Sequence, residues 1–184
     1  KRIKRLKESG INFVTDCEIG STITFNEIKE KHDAILVATG VYKSRQINLN
    51  NSKSNNVISA LDFLIASNKK GLGDNVKEFN SGKLDSQNKN VIVIGGGDTA
   101  MDCVRTAIRQ KAKSVKCLYR RDRDNMPGSQ REVENAIEEG VDFNWLTQPI
   151  EYIGNGIINS TKIVKMQLGN EDESGRRYPK SLKS

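Results

Sequence analysis

Residues 91–110 combine three features in an order that restricts the fold of this chain more than any other segment does. The apolar run Val91–Ile94 leads directly into Gly95-Gly96-Gly97, and a stretch with helical periodicity follows from Asp98 to Gln110. An apolar run that ends in glycines predicts a buried strand and a tight turn, and the periodicity after it predicts a helix. The segment therefore indicates a strand–turn–helix unit of an α/β domain.

The glycine turn has the spacing G-x-G-x-x-A, and the strand before it and the helix after it make this spacing typical of a dinucleotide site. Gly95 permits the turn, Gly97 lets the backbone approach a pyrophosphate, and Ala100 lets the helix pack closely on the sheet. The pyrophosphate then lies at the helix N-terminus, where the helix dipole favours negative charge. We predict that the nucleotide is contacted by Gly95, Gly96, Gly97, Asp98, Thr99 and Ala100.

Two more strands and a second helix follow the glycine turn. Ser114–Tyr119 and Val141–Leu146 have the composition of strands, and residues 130–139 have the pattern of an amphipathic helix. Alternation of strands and helices predicts a parallel sheet with crossover helices. We therefore predict an α/β fold with a Rossmann-type three-layer nucleotide-binding domain. Two shorter strand-like runs between residues 151 and 169, joined by Gly154-Asn155-Gly156, predict a hairpin.

The residues after the second strand indicate which dinucleotide binds. Units that bind NAD usually carry Asp or Glu about 20 residues beyond the glycine motif, where it bonds the ribose 2′-hydroxyl. Here the strand ends in Arg120 and Arg121, and arginines at this position pair with the 2′-phosphate of NADP(H). NADPH is therefore the predicted ligand. Two alternatives remain at this stage: Asp122 takes the acidic role of an NAD site, or the arginines lie in a solvated loop.

The first 90 residues carry the patterns of several short helices and strands. Residues 2–9 and a short run from Phe25 predict helices, Ile11–Val14 predicts a short strand, and Asp33–Gly40 predicts a strand buried on both faces. Residues 59–67 predict a helix. The segment Asn68–Asn90 is rich in Lys, Gly, Asn, Ser and Asp, which predicts a flexible connection with one helical turn.

Composition excludes several other classes of function. The three cysteines, Cys17, Cys103 and Cys117, form no CxxC pair, so we expect neither a zinc site nor an iron–sulfur cluster in this chain. The net charge of +7 is scattered without interleaved aromatic residues, so nucleic-acid binding is not expected. No membrane-spanning apolar run or signal peptide is visible, and the cytoplasm is the expected location. The only histidine, His32, is expected at the surface, and no set of catalytic side chains is apparent.

The run Val91–Phe143 closely resembles the small (beta) subunits of glutamate synthase and the wider group of FAD- and NADPH-dependent oxidoreductases with the same layout. Tyr119–Val133, with the sequence YRRDRDNMPGSQREV, is the most specific part of this resemblance. Asp33–Gly40 is similar to the Ala-Thr-Gly segment where chains of this family cross from the FAD domain to the NADPH domain.

The resemblance implies a pathway for electrons. In the family they pass from NADPH to FAD and then through iron–sulfur clusters to the glutamate synthase large subunit, which makes glutamate. Residue by residue, Gly95, Gly97 and Ala100 would hold the NADPH pyrophosphate, and Arg120 and Arg121 the 2′-phosphate. Ala38, Thr39 and Gly40 would lie near FAD.

The resemblance also implies that this chain is an internal fragment of a longer protein. Residues 1–40 correspond to part of an FAD-binding domain, 41–90 to a crossover and linker region, and 91–184 to an NADPH-binding Rossmann domain that is cut at its C-terminus. The cysteine-rich region and the first glycine motif of the family are missing, so the FAD site is incomplete here and iron–sulfur clusters belong only to the longer parent. Lys111 stands where the family usually has glycine after the helix.

Two alternative functions remain. One is a related FAD- and NADPH-dependent electron-transfer flavoprotein that feeds another acceptor. The other is a non-catalytic module that binds NADP(H) without turnover.

Overall fold

The computed structural model describes residues 1–40, 47–171, 173, 175 and 177–182 of the 184-residue chain. The chain divides into two units, Lys1–Val41 and Tyr42–Ser184. Among the residues that the structure describes, no helix has the length and apolar composition of a membrane span.

The first unit contains two short helices at the predicted places. Helix α1 spans Arg2–Glu8, and helix α2 spans Phe25–Lys31. Thr24 and Glu27 form a capping box at the start of α2: the Glu27 N–H donates to Thr24 Oγ1 at 3.2 Å, and the Thr24 N–H donates to Glu27 Oε2 at 2.9 Å. The hydrogen bonds from Thr24 lower the pKa of Glu27.

The two strands predicted in the first unit do not form. Ile11–Val14 and Asp33–Gly40 lie outside any strand, and the described residues 1–40 contain only one isolated bridge. Their apolar side chains remain exposed to solvent, as in Leu36, which is 90% exposed. A strand needs a neighbouring strand to bond its backbone N–H and C=O groups, and an apolar run does not supply one by itself. The prediction of these strands from their composition is wrong for this reason.

The segment Asn68–Asn90, which its composition predicts to be flexible, is folded onto the second unit. Helix α3 spans Ala60–Gly71, and α4, the predicted single turn, spans Lys77–Asn80. Ser86 is only 5% exposed, and its N–H and its hydroxyl donate to Gln110 Oε1 at 2.9 and 2.7 Å. Composition misses such contacts because a polar residue that bonds the protein looks the same in sequence as one that bonds water.

A parallel three-stranded sheet forms the centre of the second unit, as the alternating pattern predicts. Its elements in chain order are β1 (Asn90–Ile94), α5 (Asp98–Arg109), β2 (Ser114–Leu118), α6 (Gln130–Glu138) and β3 (Asp142–Asn144). The strands lie in the order β1-β2-β3, and both pairs are parallel. The predicted α/β fold of the Rossmann type is confirmed, with a third strand shorter than its apolar run.

The hydrophobic core of this unit packs the sheet against α5 and α6. Cys117 of the central strand pairs with Phe143 of β3. Met101 and Val104 of α5 and Val133 of α6 have no exposed surface. Each fully buried side chain of this size contributes roughly 1.5–3 kcal/mol to folding. The core therefore fixes the two helices on the sheet, and with them the turns at its edge.

Three antiparallel strands follow the parallel sheet. They are β4 (Thr147–Asn155), β5 (Ile157–Glu171) and β6 (Arg177–Ser181), in the order β4-β5-β6. The predicted hairpin around Gly154 is confirmed, and β6 is an additional strand that the sequence did not indicate. A Cβ on Gly154 would collide with the backbone carbonyl of Ile157, so this bend requires glycine.

An ion-pair cluster joins α5 to α6. Arg105 Nε donates to Glu139 Oε1 at 2.9 Å, and the same guanidinium also bonds Glu132. Arg109 reaches the same oxygen of Glu139 at 2.9 Å. The hydrogen bond from Arg105 is the largest cause that lowers the pKa of Glu139, and the bond to Glu139 is the largest cause that raises the pKa of Arg105.

Replacing Arg105 with alanine is expected to destabilise the protein by about 2 kcal/mol at neutral pH, because a mostly buried charged hydrogen bond is lost. The folded-state pKa of Glu139 is lowered, so its contribution is complete above the unfolded pKa and disappears as pH falls through the folded value. Urea unfolding at neutral and acidic pH should show this difference shrinking in acid. Arg109→Ala, at a more exposed partner, should cost under about 1 kcal/mol. An equal loss of stability in Arg105→Ala at neutral and at acidic pH would contradict this account.

The residue that follows α5 carries backbone strain. Lys111 has a φ of 65°, and its N–H donates to Ile108 O at 2.8 Å. The helix is therefore closed with a left-handed residue, as glycine would close it, although a side chain is present. Lys111 therefore closes the helix in the conformation that favours glycine.

Replacing Lys111 with glycine is expected to stabilise the protein by about 1 kcal/mol, because glycine adopts a positive φ without a Cβ clash. The free energy of unfolding in urea measures this gain. Lys111→Ala is the matched control, since it removes the charged side chain but keeps Cβ and should give no gain. Equal stability of the glycine and alanine variants would show that φ at this position carries no strain.

Candidate nucleotide-binding site

The candidate site lies at the carboxyl end of the parallel sheet. β1 runs into Gly95–Gly97, and β2 runs into Tyr119 and Arg120. In open α/β sheets, ligands bind in the crevice outside these strand ends. The sheet thus brings the predicted glycine turn and the predicted arginines to one edge.

The glycine turn has the geometry that its sequence predicts. Gly95 has a φ of 145°, and its N–H donates to Leu118 O at 3.1 Å. Gly97 is the N-cap of α5, and its carbonyl accepts the N–H of Ala100 at 2.9 Å. A Cβ on Gly95 would lie 3.5 Å from the Ala100 methyl group, so a larger residue at position 100 would crowd the turn.

Four successive backbone donors at this turn are free. The N–H groups of Gly96, Gly97, Asp98 and Thr99 donate to no acceptor within the part of the chain that the structure describes. A Cβ on Gly97 would meet nothing within 4 Å, so the backbone is open on that side. Unpaired N–H groups at a helix N-terminus suit an anion such as a pyrophosphate.

The arginines after β2 have different environments. Arg120 is exposed and has no ion pair or side-chain hydrogen bond among the described residues. Arg121 Nε donates to the carbonyl of Arg177 at 2.8 Å, and Arg123 pairs with Glu134 at 3.2 Å. Arg120 is therefore the arginine of this group whose guanidinium has every donor available for a ligand.

Asp122 is engaged within its own loop. Its Oδ1 accepts the backbone N–H of Asn125 at 2.9 Å and the Asn125 side-chain amide at 2.7 Å. These bonds between a side chain and its own loop shape the chain after β2. It favours Arg120 over Asp122 as the side chain that meets a ribose substituent.

Tyr119 is a site residue that sequence reasoning missed. It is 7% exposed, and its ring atoms lie 2.5 Å from the position of a Cβ on Gly96. The ring also packs edge-on against Trp145, with centroids 6.5 Å apart. The signal that could have found it is the period of two in β2, which places Val115, Cys117 and Tyr119 on one buried face.

The remaining candidate residues are described within their own unit. Ala38, Thr39 and Gly40 belong to the first unit, where all three are exposed. His32 is also exposed there, as expected, and its Nδ1 lies 2.9 Å from Ile28 O. The described residues contain no group of His, Cys, Asp and Glu side chains that could hold a metal ion.

The cysteines behave as structural residues. All three are free thiols, and Cys103 and Cys117 are buried as expected. Burial raises the pKa of both Cys103 and Cys117 to about 12, so neither forms a thiolate at neutral pH.

Comparison with known proteins agrees with this fold. A family profile described as pyridine nucleotide-disulphide oxidoreductase matches residues 3–178. The structure resembles that of Mycobacterium tuberculosis FprA in complex with NADPH, with a TM-score of 0.65 at 17% identity, and the match covers 88% of this chain and 49% of that chain. At this level of identity the likeness shows a shared fold.

Two curated relatives are similar over nearly the whole chain. The glutamate synthase (NADPH) small chain of Azospirillum brasilense is 50% identical over 182 residues, which are 99% of this chain and 38% of the relative. The protein of the same description from Escherichia coli K12 is 45% identical over 173 residues, covering 91% of this chain and 36% of the relative. This chain thus spans less than half the length of either relative.

Proposed function

The chain belongs to the pyridine nucleotide-disulphide oxidoreductase family, and we propose that it is the NADPH-binding part of a flavin-dependent oxidoreductase. The observation that carries this proposal is the presence of four successive N–H groups, from Gly96 to Thr99, that have no acceptor among the described residues. A Cβ on Gly97, in the same turn, would meet no atom within 4 Å. An anionic pyrophosphate would accept hydrogen bonds from these donors. Gly95 and Ala100 complete the contact by keeping the turn tight.

Arg120 and Arg121 are proposed to bind the 2′-phosphate. The free guanidinium of Arg120 supports this role directly. Arg121 uses Nε for the carbonyl of Arg177, and its terminal nitrogens remain available for the same phosphate. The NADPH in the names of both similar small chains supports this choice of dinucleotide. The preference arises because NADH lacks the dianion that these guanidinium groups would pair with.

The FAD contact is proposed for Ala38, Thr39 and Gly40, by resemblance to the family. The described residues form no FAD cradle around these three, so no step of the chemistry is derived through them. Residues 1–40 are proposed as part of an FAD-binding domain, 41–90 as the crossover, and 91–184 as the NADPH-binding domain. Iron–sulfur clusters are proposed only for the full-length parent.

The proposed reaction of the parent is the transfer of electrons from NADPH for glutamate synthesis from glutamine and 2-oxoglutarate, with a glutamate synthase large subunit as partner. The similarity to two small chains of that enzyme supports this assignment. Because Cys17, Cys103 and Cys117 are all free, a reducing compartment such as the cytoplasm is proposed.

The side chains of this chain contribute binding and orientation to the reaction. When bound, NADPH supplies a hydride. The free amides hold the pyrophosphate, Arg120 fixes the adenosine end, and Gly97 allows the close approach. No side chain at the site is assigned a proton transfer or a nucleophilic attack.

Trp145 provides a direct test of nucleotide binding at this site. It is the only tryptophan and lies against Tyr119, so reduced nicotinamide bound nearby should quench its emission by energy transfer. We expect saturable quenching by NADPH that adenosine 2′,5′-bisphosphate reverses and 5′-ADP reverses poorly. Quenching that does not saturate, or equal reversal by both competitors, would contradict the proposed site.

A further inference from the structure

The loop that follows β2 contacts the glycine turn at two points. The Gly128 N–H donates to Gly96 O at 2.9 Å, and the Ser129 N–H donates to Asp98 Oδ1 at 2.9 Å. Gly128 is buried, and a Cβ there would lie 3.0 Å from Gly96 O. The backbone of the loop therefore lies directly against the backbone of the turn.

The same loop is anchored firmly at its base. The Tyr119 hydroxyl donates to Asn125 O at 2.9 Å, and the Asn125 N–H donates to Asp122 Oδ1 at 2.9 Å. Met126 is 6% exposed and belongs to the hydrophobic core. The loop is thus tied to β2, to the core and to the glycine turn at once.

We propose that Asp98 and the loop Asp122–Ser129 form a clamp that holds the glycine turn in its phosphate-accepting shape before a nucleotide binds. This inference rests on the proposed function. Asp98 then has two separate roles: its backbone N–H faces the ligand, and its carboxylate positions the loop. Tyr119 is the second positioning residue, because its ring fills the space beside Gly96 and its hydroxyl holds Asn125.

Electrostatics explain why a carboxylate is acceptable so close to a pyrophosphate site. Asp98 would repel a phosphate if its side chain faced the ligand. Its Oδ1 instead accepts the N–H of Ser129, the N-cap of α6, where the helix dipole favours negative charge. The alternative role for Asp98, as a direct acceptor for a nucleotide hydroxyl, would depend on the negative charge, because a charge-assisted hydrogen bond is roughly twice as strong as a neutral one.

Two substitutions at Asp98 separate these roles. Asp98→Asn keeps an acceptor for Ser129 but removes the charge, and Asp98→Ala removes both. By calorimetric titration with NADPH we expect Asp98→Ala to bind about tenfold more weakly and Asp98→Asn to stay within about twofold of the native chain. Asp102→Ala, an exposed aspartate of the same helix, is the matched control and should bind as the native chain does. Tyr119→Phe, which removes only the hydroxyl, should weaken binding by about fivefold.

Amide hydrogen exchange without nucleotide provides a second readout. In Asp98→Ala the Ser129 amide should exchange at least about tenfold faster than in the native chain, while Asp98→Asn preserves its protection. Native binding and exchange in Asp98→Ala would overturn the clamp alone. Equal weakening in the asparagine and alanine variants would overturn the positioning role and make the carboxylate a ligand. Absence of NADPH binding in the native chain would instead overturn the proposed function.

Discussion

Replacing Arg120 with glutamate is expected to weaken NADPH binding by about a hundredfold and NADH binding by less than about threefold. The reason is that the variant removes a charge-assisted hydrogen bond to the 2′-phosphate and places a like charge beside it. NADH carries a hydroxyl at this position and loses little. Arg120 has no partner among the described residues, so the substitution breaks no contact of the fold.

Parallel titrations of the native chain and the variant with both nucleotides measure this effect. Lys113→Glu is the matched control, because it makes the same charge change at an exposed residue just before β2, at the opposite end of that strand. The control should alter the affinity for either nucleotide by less than about twofold, since the charge is distant from the site and screened. Equal losses of NADPH and NADH in Arg120→Glu would show that Arg120 does not touch the 2′-phosphate.

Alanine at Gly96 is expected to reduce stability strongly, whereas alanine at Gly97 is expected to change it little. Gly96→Ala places a methyl group 2.5 Å from the buried ring of Tyr119, so we expect a loss of about 3 kcal/mol in the free energy of unfolding. Gly97→Ala meets no atom within 4 Å, so stability should change by less than about 1 kcal/mol. The same methyl group stands where the pyrophosphate approaches, and NADPH should bind at least about tenfold more weakly.

Urea unfolding and nucleotide titration of both variants separate folding from binding at adjacent glycines. The pair serves as its own control, since each variant adds one methyl group to the same turn. Normal stability of Gly96→Ala would mean that Tyr119 does not restrict this position. Normal NADPH affinity of Gly97→Ala would mean that the nucleotide does not approach the turn at that residue.

Much of the second unit could be predicted because its signals are local. The apolar run before Gly95 and the helical period after it belong to neighbouring residues, and the structure confirms β1, the turn and α5. The hairpin at Gly154 could also be predicted from the sequence, because its glycines allow a bend that other residues cannot make.

The features that the sequence did not reveal all depend on distant partners. Asp33–Gly40 has a strand's composition, yet no strand pairs with it among the residues that the structure describes. Ser86 appeared to belong to a flexible connection, because its bond to Gln110 spans 24 positions. The packing of Tyr119 on Gly96 likewise joins two strand ends that only the folded sheet brings together. In each case the structure depends on residues far apart in sequence, whereas periodicity and composition report only on neighbouring residues.

The central claim is that the glycine turn and Arg120 form one NADPH site, and calorimetric titration of the unmodified chain with NADPH and with NADH tests it most directly. We expect one NADPH per chain, bound at least about tenfold more tightly than NADH, because a charge-assisted pair with the 2′-phosphate is worth this much. Equal affinity for the two nucleotides, or no binding of either, would contradict the claim.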